Sequence, residues 1–158
     1  MQDIELFNRF IKVESVNKGW SGDKKYCVTR ADRMRYLLRI SPAEQYEKRK
    51  VLFELLERVA GLGIPMCMPI EFGACGDGVY ILESWIDGEG AEAAIPMLSE
   101  TKQYGLGLKS GEILRKIHII PAPDEQEDWV VRFNRKTNYK IRKYRECGKP
   151  TFLSYYIS

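Results

Sequence analysis

The sequence predicts an α+β fold: a five-stranded antiparallel sheet with one packed helix, followed by a helical portion. Three observations predict it. Three strand-like runs lie between Phe10 and Ile40 around a turn of small residues. A helix with a start signal follows at Ser41-Pro42. Two further apolar runs flank Cys75-Gly76-Asp77-Gly78, and Asp-Gly between apolar runs is a strong hairpin signal.

The elements follow in order. Residues 3–12 are a lead-in of mixed character, overlapping a first strand from Phe10 to Val16. Lys18-Gly19-Trp20-Ser21-Gly22-Asp23 makes the turn, Lys25–Arg30 the second strand and Arg35–Ile40 the third. In the third strand, alternation puts Arg39 on the face opposite Leu38. Ser41 can cap the next helix, Pro42 suits its first position, and Glu44 has capping-box spacing. That helix runs to about Ala60, with Gly61 or Gly63 ending it and Leu52, Leu55, Leu56 and Val59 as its apolar stripe. Pro65 and Pro69 bracket an extended linker into the strands Ile70–Ala74 and Val79–Trp85. Asp87-Gly88-Glu89-Gly90 breaks the chain, a short helix fits Ala91–Leu98, and a longer one fits Gln103–His118. In the longer helix Leu106, Leu108, Ile113, Leu114 and Ile117 lie on or near the expected buried side. Pro121 and Pro123 end it, Trp129–Cys147 leans helical and basic, and Thr151–Ser158 reads as an extended tail.

Composition narrows the class less than charge distribution does. A chain of 158 residues, 44% hydrophobic and 30% charged, suits one soluble globular domain. At that size a chain buries roughly 70% of its unfolded surface. The net charge of +3 names no partner. Glu83 to Glu100 carries five acids and no Lys or Arg, and Asp124, Glu125, Glu127 and Asp128 form a second acidic group. Arg132 to Lys149 then carries eight basic residues against one acid. That stripe suits a solvated helix face better than a nucleic-acid surface, since no nucleic-acid motif accompanies it. Cys27, Cys67, Cys75 and Cys147 have no C-x-x-C spacing and the chain has one histidine, which argues against a zinc site. No apolar h-region is visible, and no apolar run approaches the ~20 residues that span a bilayer. The expectation is a cytoplasmic protein with reduced thiols and no membrane partner.

Five phrases, "NKGWSGDKKYCV", "RYLLRIS", "GLGIPMCMPIEFG", "GVYILESWIDGE" and "GEILRKIHIIPAP", cover most of residues 15–123. In this order and at about this spacing the chain resembles the aminoglycoside phosphotransferase family, which shares the protein-kinase-like fold. The resemblance implies an N-terminal nucleotide-binding lobe over residues 1–88, ending in a hinge. Residues 89–158 would be the first helices of a truncated helical C-terminal lobe. An ATP or GTP site would lie between the lobes. Ser21 and Gly22 would sit in the loop over the phosphates, where small residues let backbone N–H groups approach. Arg39 takes the strand position where the family usually has Lys; its planar fork replaces a point charge. Kinases pair that cation with a helix Glu, and Glu54 is the choice here, with Glu47 and Glu57 as rivals. Ser84, Trp85 and Ile86 match the hinge whose backbone would read the nucleotide base. Taken alone, each feature has a plainer reading: a hairpin turn, a strand Arg reaching solvent, solvated helix charges and a core tryptophan.

The family's chemistry also needs an Asp in a His-Gly-Asp-type loop, an Asn after it and a further metal-binding Asp. The only histidine, His118, ends "LRKIH" with no Asp two residues on, and neither Asp nor Asn follows Cys147. His118 reads as structural. Magnesium is expected only in a full-length relative, and no phosphoryl transfer is expected from this chain alone. The acceptor, an antibiotic or another small hydroxylated molecule, stays open, as does the choice of ATP or GTP. The alternative is a non-catalytic module that self-associates through exposed helix faces. Nucleic-acid binding through the basic stripe ranks last.

Overall fold

The computed structural model describes residues 4–17, 19, 21–76, 78–122 and 127–147. Five strands form one antiparallel sheet: β1 (Lys12–Ser15), β2 (Lys24–Thr29), β3 (Arg35–Pro42), β4 (Pro69–Cys75) and β5 (Gly78–Ser84), in the order β1-β2-β3-β5-β4. The predicted α+β class and strand count are those observed. The helices are α1 (Ile4–Phe7), α2 (Tyr46–Ala60), α3 (Ala91–Ala94), α4 (Glu100–Ile117) and α5 (Trp129–Glu146). The chain divides into two compact units, Met1–Ile120 and Pro121–Ser158.

Alternation along the strands gives the sheet two different faces. One face carries Val28, Leu38, Tyr80 and Leu82, joined in the core by Leu6, Phe10 and Cys75. Val28, Leu38 and Leu82 have no exposed surface, and full burial of such a side chain is worth roughly 1.5–3 kcal/mol. Gly73 faces Tyr80 across the β4–β5 pair, and the tyrosine ring lies where a Cβ would stand, 2.9–3.0 Å away. The other face carries Arg39, whose register neighbours are Lys25 on β2 and Ile81 on β5. Helix α2 packs on β4 and β5, where the Tyr46 and Phe53 rings meet Phe72 with centroids 5.1 and 5.8 Å apart.

Several boundaries differ from the expected ones for identifiable reasons. Phe10 precedes β1 and is buried in the core with Leu6 of α1. Ser41 and Pro42 extend β3, a 3₁₀ turn at Ala43–Gln45 leads into α2, and Ser41 does not cap the helix. Its hydroxyl donates instead to Asp23 at 2.8 Å. Pro69 belongs to β4, whose position at the sheet edge tolerates a missing donor. Leu55 is exposed on α2. In α4, Leu106, Leu108 and Leu114 are exposed while Ile113 and Ile117 are half-buried. Asp77, Pro123, Asp124, Glu125 and the tail 151–158 lie outside the described residues, as do Lys18 and Trp20 of the first turn.

In the second unit, Asp128 caps α5 by accepting from the Val130 and Val131 N–H groups at 2.9 and 3.2 Å. Trp129 stacks on Phe133 with centroids 5.0 Å apart, and no residue of α5 is buried. No helix among the described residues is long and apolar enough to cross a membrane.

Candidate functional site

The turn between β1 and β2 closes over an open cavity of about 350 Å³ lined by Ser15, Val16, Asn17, Gly19, Ser21, Asp23, Lys24, Lys25 and Tyr26. Gly19 adopts φ +97, a backbone conformation that side-chain-bearing residues rarely take, and the Lys25 amine lies 3.2 Å from where its Cβ would be. Ser21 lines the cavity. Gly22 is exposed, with open space where a Cβ would stand, so its small size is not enforced by a neighbour.

Asp23 ends the turn and points inward, its side chain 3% exposed. One oxygen accepts from the Ser41 hydroxyl and from the Arg49 guanidinium of α2; the other accepts from Arg39 at 3.3 Å. Arg39 also donates to Glu83 of β5 at 3.4 Å. Burial opposes ionisation at Asp23, but the Ser41 hydroxyl and the charges of Arg49 and Arg39 outweigh it and hold the carboxyl below its ordinary range. At Glu83 burial prevails over Arg39 and pushes the carboxyl up. Among the described residues Arg49 Nε is buried without a hydrogen-bond partner.

The sheet thus places Arg39 on the face predicted for it, beside the loop that carries Ser21 and Gly22. Glu54 is not one of its partners. It is exposed on α2, about 140° around the helix from Arg49 at 100° per residue, while Arg39 is held by Asp23 and Glu83. Asp23, Arg49 and Glu83 are the members that sequence reasoning missed. Arg49 had a readable signal: Leu52, Phe53 and Leu56 follow at three, four and seven residues, so it shares the helix's inward stripe. Asp23 reads as one more turn residue and Glu83 as one more hinge acid, and neither has a local pattern that marks burial.

In the segment expected to form a hinge, Ser84 and Trp85 are committed inside the protein. The Ser84 N–H donates to the Met68 carbonyl and its hydroxyl accepts from the Met68 N–H, both at 2.8 Å. The Trp85 N–H donates to the Arg35 carbonyl at 3.3 Å. Arg35 also pairs with Asp87 and lies over the Trp85 ring, 5.9 Å from its centroid, so β3 pins the segment at both ends. Ile86 between them is exposed, and its backbone has no hydrogen-bond partner among the described residues.

Residues 12–151 match the phosphotransferase enzyme family. The chain belongs to that family. A comparison with curated proteins gives no match. Family membership accords with the kinase-like sheet, the single packed helix and the inward cation on β3. No group of three or more His, Cys, Asp or Glu side chains that could hold a metal ion occurs among the described residues.

Proposed function

We propose that the protein binds ATP or GTP on the Arg39 face of the sheet and does not itself transfer a phosphoryl group. It corresponds to the nucleotide-binding portion of a small-molecule phosphotransferase. The observation that carries this reading is the inward Arg39 beside the cavity under the Gly19–Asp23 turn. Phosphate binding needs a cation and close backbone approach; Asp23, the partner of Arg39, lines the cavity together with Gly19 and Ser21, which supports the reading. At the hinge, Ile86 is the residue whose backbone is available to a base edge. Leu37 and Cys27 share the Arg39 face and line up in register with Glu83, giving the base an apolar neighbourhood beside one buried acid.

Phosphoryl transfer would need a group to polarise the acceptor hydroxyl and carboxylates to hold a metal. The sequence has no His-Gly-Asp loop, so this chain's part ends at holding the nucleotide. Calorimetric titration of the chain with ATP and GTP tests the reading. Binding of either that falls at least tenfold in Arg39→Ala is expected. Absence of binding in the folded wild-type protein refutes it, and so does nucleotide-dependent phosphorylation of an aminoglycoside for the claim of inactivity.

A second reading, self-association of two copies through α4, is favoured by the open groove along Tyr104, Gly107, Leu108, Gly111, Glu112 and Arg115. Tyr104 and Leu108 are exposed there. Sedimentation velocity decides it: a concentration-dependent dimer weakened by Leu108→Asp supports it, and a monomer throughout rejects it.

A further inference from the structure

We propose that Asp23 is a built-in placeholder for a phosphate group, and that Arg49 joins Arg39 as the second phosphate-gripping residue once Asp23 withdraws. The inference rests on the nucleotide reading above and names how that site is regulated.

Arg39 and Arg49 supply two positive charges, and Asp23 and Glu83 two negative ones. Both Asp23 and Glu83 side chains are at most 5% exposed. With Asp23 docked the cluster is neutral and has little pull on an anion. With Asp23 removed the same cluster carries one excess positive charge, in a setting shielded from water. Two guanidinium groups and the Ser41 hydroxyl then converge on the position vacated by the carboxylate. That is the donor set that phosphate oxygens recognise. Arg49 Nε, which has no partner among the described residues, adds a donor that the Asp23 carboxylate does not use.

Asp23 is not anchored in the sheet centre; it ends the small-residue turn and lines the cavity that the turn encloses. Its carboxylate therefore ties the end of that turn to β3 and α2. Neither Arg39 nor Arg49 lines the cavity; Asp23 stands between it and their guanidinium groups, so a phosphate reaches them where Asp23 gives way. The phosphate carries more charge than a carboxylate, whereas Asp23 has the advantage of being tethered in place. Occupancy is then a competition, and the apparent affinity for nucleotide is reduced by the fraction of time the latch is closed.

The test is titration of wild type, Asp23→Asn, and Asp23→Asn combined with Arg49→Met, using ATP and inorganic tripolyphosphate as separate probes. Asn keeps the size and the Ser41 hydrogen bond but loses the charge. About a tenfold gain for Asp23→Asn is expected, the gain that release of a latch closed about nine-tenths of the time would give. The Arg49→Met change should remove most of that gain. Ser41→Ala, which removes one tether of Asp23 and no charge, should give a smaller gain and serves if Asp23→Asn does not fold. Equal or weaker ATP binding by Asp23→Asn, with wild type binding, overturns the latch and leaves the nucleotide site standing. Tighter tripolyphosphate binding by Asp23→Asn with no ATP binding by any variant supports the latch and overturns the nucleotide reading. Failure of both probes in folded wild type and variants overturns both.

Discussion

The sheet carries an arginine–carboxylate cluster on each face, built from the same kinds of residue and put to opposite effect. On the core face, Glu71 accepts two hydrogen bonds from Arg9 at 2.8 and 2.6 Å and one from the Tyr80 hydroxyl, with Arg30 at 3.6 Å. On the α2 face, Arg39 is shared between Asp23 and Glu83 at 3.3 and 3.4 Å, and Arg49 also reaches Asp23. The first cluster is a brace. Its geometry is bidentate, its carboxylate is 32% exposed, and the Arg9 hydrogen bonds outweigh burial to draw Glu71 from 4.5 down to about 2. The second is buried deeper and satisfied less well, with one acid held down, the other pushed up and a guanidinium nitrogen unused. The closed set of partners around Glu71 locks structure, while the set around Asp23 leaves one buried donor without a partner among the described residues.

The largest effect expected is that of Arg39→Ala. It leaves Glu83 buried without its partner and should cost about 3 kcal/mol in urea unfolding. Arg9→Ala should cost only about 1 kcal/mol, because Glu71 is half-exposed and keeps Tyr80 and Arg30. Equal losses would erase the contrast between the clusters.

Gly73→Ala should destabilise by about 1–3 kcal/mol, because the new Cβ would meet the Tyr80 ring at 2.9–3.0 Å and push it off Glu71. A thermal midpoint unchanged from wild type would show that Tyr80 is not held where the brace requires it.

The two faces should also answer pH with opposite sign. Glu71 titrates lower in the folded chain than in the unfolded one. Its contribution is therefore complete above about 4.5 and lost as pH falls toward about 2. Glu71→Gln should flatten that acid loss by about 1–2 kcal/mol after allowance for solvent screening. Glu83 titrates higher when folded, so it favours the folded state at low pH, and that contribution is lost as pH rises through its folded value. Glu83→Gln should remove this second slope. Unfolding free energies of both variants between pH 2 and pH 7, about the range of these shifts, would show whether the slopes are opposed.

The smallest effect expected is at Glu54. Exposed and apart from Arg39, Glu54→Ala should change stability by less than about 0.5 kcal/mol and leave nucleotide affinity at the wild-type value. A tenfold loss of affinity would restore it as the helix partner of the strand cation.

Much of this molecule was legible because short-range rules produced it. Period-two alternation put Arg39 opposite Leu38, turn residues separated the strands, and the Asp-Gly pair marked the β4–β5 hairpin. The partners of Arg39 were not legible. A helix Glu was expected because the family resemblance implies one, and the choice of Glu54 over Glu47 and Glu57 was open because charges on a helix look alike in sequence. Helical phase turned Glu54 outward and Arg49 inward, and strand register then set Glu83 in line with Leu37 and close to Arg39. Ser41 shows the same limit. Its sequence context specifies a cap, and only the approach of Asp23, eighteen residues away, gave its hydroxyl a different partner.

By itself, then, the sequence determined the order of elements, the five strands and the face on which the β3 cation lies, because these follow from local periodicity and turn chemistry. Packing of the elements settled which acids neutralise that cation, that a second arginine joins it, and that the backbone of Ile86 has no hydrogen-bond partner among the described residues. Those outcomes depend on contacts between residues distant along the chain, which strand register, helix rotation and burial fix only when the elements pack.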